Sequence, residues 1–164
     1  MKLDTPKDLF LYEMSAMHDG EKKIAEMLTE VAGKVNDKAL AEMLRTHKKE
    51  TDQQIENLEK CFEHLGESPQ RVPCATVDAI REEYREFVGM KPSEDVLTMF
   101  ILGGAAKIEH FEIASYRGLV GKAMLMGDTQ LIQSLETNLL QEEETAGKLE
   151  RCAHELGQRM LARA

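Results

Sequence analysis

The chain has 164 residues, 30 of them acidic and 21 basic, for a formal net charge of −9. That balance argues against a nucleic-acid footprint, because phosphate backbones are held by clustered Lys and Arg. Aromatics are 5%, Trp is absent and Pro occurs 4 times, a composition that speaks against a sheet protein and suits long helices around one continuous core.

Thr5-Pro6-Lys7-Asp8 joins an N-cap residue, a proline at the first helical position and an early acid, so a first helix is predicted over about 5–33. Its apolar stripe runs Phe10, Met14, Met17, Ile24, Leu28, Val31, and Glu21 interrupts it. After the turn 34–36, Asp37 caps a second helix over about 37–66, antiparallel to the first because the connection is short. Its seam reads Leu40, Leu44, His47, Thr51, Gln54, Leu58, Cys61 and Leu65, with a polar middle and Glu50 beside it.

Residues 67–92 hold three of the four prolines and one short, charged surface helix near 75–88, as expected of a crossover within one domain. Ser93-Glu94-Asp95 opens a third long helix over about 93–126, with the seam Val96, Met99, Leu102, Ala106, Glu109, Ile113, Tyr116, Val120 and with Glu112 close by. Gly103-Gly104 reads as a close helix contact. Gly127-Asp128 then starts a fourth long helix over about 128–160, whose seam is Leu131, Leu135, Asn138, Glu142, Thr145, Leu149, Cys152 and Leu156. The expected fold is therefore all-α: a single domain over 1–164, an antiparallel four-helix bundle with a long crossover between its second and third long helices.

A carboxylate in every seam calls for an explanation, since a buried ionised carboxylate costs several kcal/mol unless it is paired or metal-bound. The depths agree: Glu21 lies 12 residues before Gly33 and Glu50 lies 13 after Asp37, while Glu142 lies 14 after Asp128 and Glu112 lies 14 before Met126. Glu21 to Glu50 spans 29 residues and Glu112 to Glu142 spans 30, so the two hairpins read as weak repeats around a pseudo-two-fold site. Converging carboxylates without matching Lys or Arg repel one another, and a pair of divalent cations removes the repulsion. The recurrent bundle site adds a Glu-x-x-His motif on two helices. Here His47 precedes Glu50 and Thr145 follows Glu142, so the centre should be poorer in imidazole.

The three cysteines Cys61, Cys74 and Cys152 lack CxxC spacing and read as reduced thiols. The N-terminal segment shows no apolar export signal and no apolar run reaches membrane length, so a cytoplasmic protein with no membrane partner is expected.

Four segments resemble the YciE/YciF group of ferritin-like bacterial stress proteins: Glu21-Lys22-Lys23; His47-Lys48-Lys49-Glu50-Thr51 with Gln54; Glu109-His110-Phe111-Glu112-Ile113-Ala114-Ser115-Tyr116; and the Glu142 region. The resemblance covers nearly the whole chain, and the Glu109–Tyr116 string is its most specific part. It implies a rubrerythrin-like bundle, a homodimer, and a metal site whose ligand candidates are Glu21, Glu50, Glu109, Glu112 and Glu142, with His47 a ligand or its partner. The group's own biochemical activity is undefined. The chain departs from it on the last helix, where Gln141-Glu142 replaces two adjacent acids and Ala146 stands near a family Asp.

Oxygen-rich ligands suit two iron ions, or manganese. The function expected is Fe(II) oxidation with oxygen or peroxide, and the alternative is a non-enzymatic structural or adaptor protein in which the metal or a polar layer only stabilises the bundle. His18, one turn before Glu21, is a weaker ligand candidate. Tyr116 reads first as a packed seam residue.

Overall fold

The structure, a computed structural model, describes residues 3–162. It contains five helices in the order α1 (Pro6–Ala32), α2 (Lys38–His64), α3 (Ala75–Gly89), α4 (Glu94–Met126) and α5 (Thr129–Leu161), and no strand among the described residues. The helix ends follow local chemistry. Thr5 and Asp8 form a capping box at α1, the Thr5 hydroxyl accepting from the Asp8 N–H at 3.1 Å and the Asp8 carboxylate from the Thr5 N–H at 2.8 Å. Asp37 accepts from the N–H groups of Ala39 and Leu40 at the start of α2, and Asp128 accepts from Leu131 N–H at the start of α5. Gly127 ends α4 at φ +69°, a left-handed position that favours glycine.

Helices α1 and α2 pack closely along each other, as do α4 and α5. Ion pairs give the directions: Lys7–Glu67 (3.1 Å) and His18–Glu59 (3.0 Å) run antiparallel in the first pair, Arg117–Glu143 (2.6 Å) and His110–Glu150 (3.5 Å) in the second. The pairs meet through α2 against α5, where Asn57 donates to Asn138 at 2.8 Å, and through α1 against α4, where Lys122 reaches Glu13 at 2.7 Å. Helix α3 lies on α1 and α4, tied by Lys23–Asp78 and Lys107–Glu83, and buries only Val77 and Tyr84 fully. Its other residues meet solvent or half-bury, which explains its charged sequence.

The apolar interior falls into two clusters. One gathers Ile24, Leu28, Leu44, Val77, Ile101 and Ile108; the other gathers Phe10, Met14, Leu58, Phe62, Leu119 and Leu135. Between them lies the level of Glu21, His47, Glu109, Glu112 and Glu142, all buried.

Two sequence expectations are corrected. Val96 and Met99 are exposed, 45% and 48%, and the first turns of α4 bury Thr98 and Ile101 instead, while Leu102 is buried as expected. Counting back from Glu109 in steps of three and four reaches either face, and only the contacts decide. Gly103 and Gly104 are no close helix contact, for a Cβ added at either meets nothing within 4 Å. The two kinds of glycine should respond oppositely to alanine. Gly127→Ala, at positive φ, is expected to lower stability by about 1–2 kcal/mol. Gly103→Ala, in an open helical position, should raise it by about 0.5–1 kcal/mol, both read from urea midpoints.

Candidate metal centre

Each long helix delivers a polar side chain to one level. Helix α1 brings Glu21, α2 brings His47 and Gln54, α4 brings Glu109, Glu112 and Tyr116, and α5 brings Asn138 and Glu142; all are buried. One ligand atom from each of His47, Glu109, Glu112 and Glu142 lies within 4.8 Å of the others. His47 Nε2 stands 3.3 Å from Glu109 Oε1. Glu21 borders this group through Glu112, whose side chain it meets, and Glu142, whose charge it feels.

The hydrogen bonds around the cluster hold some oxygens and leave others free. The Tyr116 hydroxyl donates to Glu21 Oε1, and Gln54 Nε2 donates to Glu142 Oε1. Asn138 Nδ2 donates to the Tyr116 hydroxyl at 3.0 Å and to the Gln54 carbonyl at 3.2 Å, so one amide aligns both of these donors. Glu21 Oε2, Glu142 Oε2, both oxygens of Glu109, both of Glu112 and both ring nitrogens of His47 have no hydrogen-bond partner. Buried polar atoms are rarely left so. Lone pairs converging from hard oxygens and one imidazole are the donor set of a divalent cation, so the residues fit a metal.

Electrostatics gives the same answer. Burial, with the Glu142 charge second, pushes Glu21 up to about 8 and Glu109 up to about 11. Burial pushes Glu142 up to about 7, and burial followed by the Glu21 charge raises Glu112 far above the carboxylate range. Burial, helped by Lys148, lowers His47 to about 4, which leaves its imidazole neutral and its lone pair available near pH 7. Without a cation the layer keeps protons that free carboxyls would have released.

The sequence-predicted residues divide. Glu21, Glu109, Glu112, Glu142 and His47 meet in the layer. Glu50 stands at its edge with its side chain 28% exposed, accepting from Thr145 Oγ1 at 3.3 Å and lying 3.9 Å from Lys148. His18 turns to Glu59 at 3.0 Å and the edge of Phe62 and takes no part. Gln54 and Asn138 were open to sequence reading only as polar breaks in apolar seams, whereas Tyr116 could be read as a packed seam residue or as a hydrogen-bonding or redox neighbour. His110, His64 and His154 pair with Glu150, Asp128 and Gln158 away from the site.

The pH dependence of the metal-free protein follows from these shifts. The raised carboxyls stabilise the fold below their unfolded value near 4.5 and lose that contribution as pH rises through 7 and beyond. His47, depressed from 6.5, acts in the opposite sense only between about 4 and 6.5. From pH 6.5 to 8 the urea midpoint of metal-free protein should therefore fall. Each carboxyl still protonated in the fold contributes at most ~1.4 kcal/mol per pH unit. In Glu112→Gln the fall should be shallower and the midpoint at pH 8 higher; an equally steep fall refutes the buried-carboxyl account.

Comparison with known proteins places nearly the whole chain in a family. A family described as a domain of unknown function, DUF892, matches residues 5–162. Protein YciF of Escherichia coli K12 is 27% identical over 150 residues, 91% of this chain and 90% of that protein. The crystal structure of the E. coli stress protein YciF superposes with a TM-score of 0.90 at 26% identity, covering 95% of this chain and 99% of that one. YcfI of Rhodopseudomonas palustris, described provisionally as structural, superposes with a TM-score of 0.87 at 31% identity over 91% of this chain and 95% of that one. The chain belongs to the DUF892 family and is a homologue of YciF, the relation to which the Glu109–Tyr116 string pointed.

Proposed function

We propose that the chain is a single-domain, ferritin-like stress protein whose four long helices hold a carboxylate-rich centre for two divalent metal ions, iron in the first place and manganese otherwise. In this reading α1, α2, α4 and α5 are the bundle and residues 65–93 its crossover. The observation that carries the proposal is the set of buried, unpartnered carboxylate oxygens from three helices facing a neutral imidazole from the fourth. Metal ligands are Glu21, Glu109, Glu112, Glu142 and His47, with Glu50 able to join from the edge.

Bound iron supplies one-electron chemistry, with Fe(II) giving electrons to a small oxidant, oxygen or peroxide. The protein's residues do the rest. Tyr116 and Gln54 each fix one oxygen of Glu21 and Glu142 and turn the other inward. The apolar clusters above and below exclude water, so charge within the layer is little screened.

A second reading, a non-enzymatic structural or adaptor protein, draws on the provisional description of YcfI and on the chain Asn57, Asn138, Tyr116 and Glu21, which forms a connected polar layer without metal. The two readings separate on metal content and stability. Protein purified without chelator should carry about two equivalents of iron or manganese per chain. A metal present at about a thousand times its Kd adds ~4 kcal/mol to folding stability. Glu21→Gln with Glu109→Gln should abolish both, and anaerobically loaded Fe(II) should oxidise in air faster than in that variant. No metal after anaerobic reconstitution would leave the polar layer as the whole role. We also propose a homodimer, as the family resemblance implies, in the cytoplasm; light scattering at a mass of one chain would refute the dimer.

A further inference from the structure

One face of the layer borders a cavity. It lies between α1, α2, α3 and α4, walled by Ile24, Leu44 and Ile108, and its inner end is His47 with Glu109. Its outer end is bordered by exposed Glu83 and half-buried Gly104. Glu83 is engaged by Lys107 at 2.8 and 2.9 Å and so points a satisfied carboxylate at the rim. The centre of a water-sized sphere has about 40 Å³ in which to move, so the space holds more than the one water whose own sphere occupies about 10–15 Å³. The space therefore takes a molecule of a few atoms and no bulky substrate.

The chemistry of the lining selects further. Between rim and inner end the walls are aliphatic or aromatic and hold no free hydrogen-bond donor besides the Tyr84 hydroxyl. A polar molecule entering there gives up its hydrogen bonds to water and regains few, whereas an apolar one loses nothing. The only orphaned polar atoms it meets at depth are the His47 nitrogens and the Glu109 oxygens, residues 4% and 0% exposed. Gly104 lines the cavity, and a Cβ there meets nothing within 4 Å, so the position has room for a larger side chain at the cavity's border.

We infer that this cavity is a binding site for a small apolar molecule, dioxygen rather than peroxide, which it holds against His47 and Glu109 from the side covered by α3. The inference rests on the metal-centre reading for its choice of dioxygen, and it narrows the oxidant of that reading to the apolar one. The cavity itself needs no metal. Its test separates the two ideas.

Xenon is the probe for the site alone. Crystals of the wild-type chain under xenon pressure should show the atom among Ile24, Leu44 and Ile108, and crystals of Gly104→Leu should not. Protein loaded with equal iron in both forms then gives the second measure. Oxidation by dioxygen should be slowed about tenfold in Gly104→Leu, with oxidation by hydrogen peroxide changed less than dioxygen oxidation. A cavity empty of xenon in the wild type overturns the inference whatever the metal content, and so does a plugged variant that reacts with dioxygen at the wild-type rate. If neither form binds iron, the metal reading fails by itself, and the xenon result still decides whether the site exists. Should Gly104→Leu fail to fold, the presence or absence of xenon in the wild-type cavity decides alone.

Discussion

Mutual repulsion among carboxylates brought to one buried level is the constraint around which the rest is arranged. Among the described residues no Lys or Arg enters the layer; Lys148 approaches only as far as Glu50 at the edge. Four carboxyls and one imidazole in such a place either keep protons or share cations. The surrounding amides and hydroxyls are consistent with the second state, because they satisfy one oxygen of a carboxylate and leave the other turned inward. Glu109 and Glu112 find no donor in an amide or hydroxyl; without a cation they can pair only with other carboxyls, Glu109 with Glu142 and Glu112 with Glu21, through the protons they keep.

Much of this was legible in the chain. The capping residues Thr5, Asp37, Asp128 and the left-handed Gly127 carry their structure locally, so helix ends could be read almost residue by residue. Glutamates interrupting apolar stripes at matching depths announced the layer, because helical rise converts sequence distance into height. What was not legible depends on rotation about a helix axis. The seam spacing placed His47 inward and Glu50 beside it, but not that His47 joins the carboxylates of the cluster while Glu50 stays at the edge with Thr145. Val96 and Met99 failed for the same reason: α4 is apolar on more than one side, and α3 determines which side is covered.

The cavity beside the layer is a product of tertiary assembly alone. No sequence period encodes it, since its walls come from four helices and its outer border includes Gly104, which the sequence suggested as a close helix contact. Helix α3 thereby gains a role beyond connecting α2 to α4: it roofs the region next to His47. The resemblance of the whole chain to YciF, at a TM-score of 0.90, shows that this short helix belongs to a shared architecture and is no ornament of one sequence.

Division of the interior into two apolar clusters by a charged level has a consequence for alignment. Sliding one helix along its neighbours by a single turn, about 5.4 Å, would lift its carboxylate into the Ile24–Leu28–Leu44 cluster or drop it among Phe10, Met14 and Leu58. It would also set an aliphatic side chain opposite the remaining acids. Uniform leucine seams permit such slippage at little penalty, whereas here every misregistered arrangement strands a carboxyl in hydrocarbon without its partners. The groups least favourable to stability are thus the ones that index the helices against one another, as a keyed shaft permits a single seating.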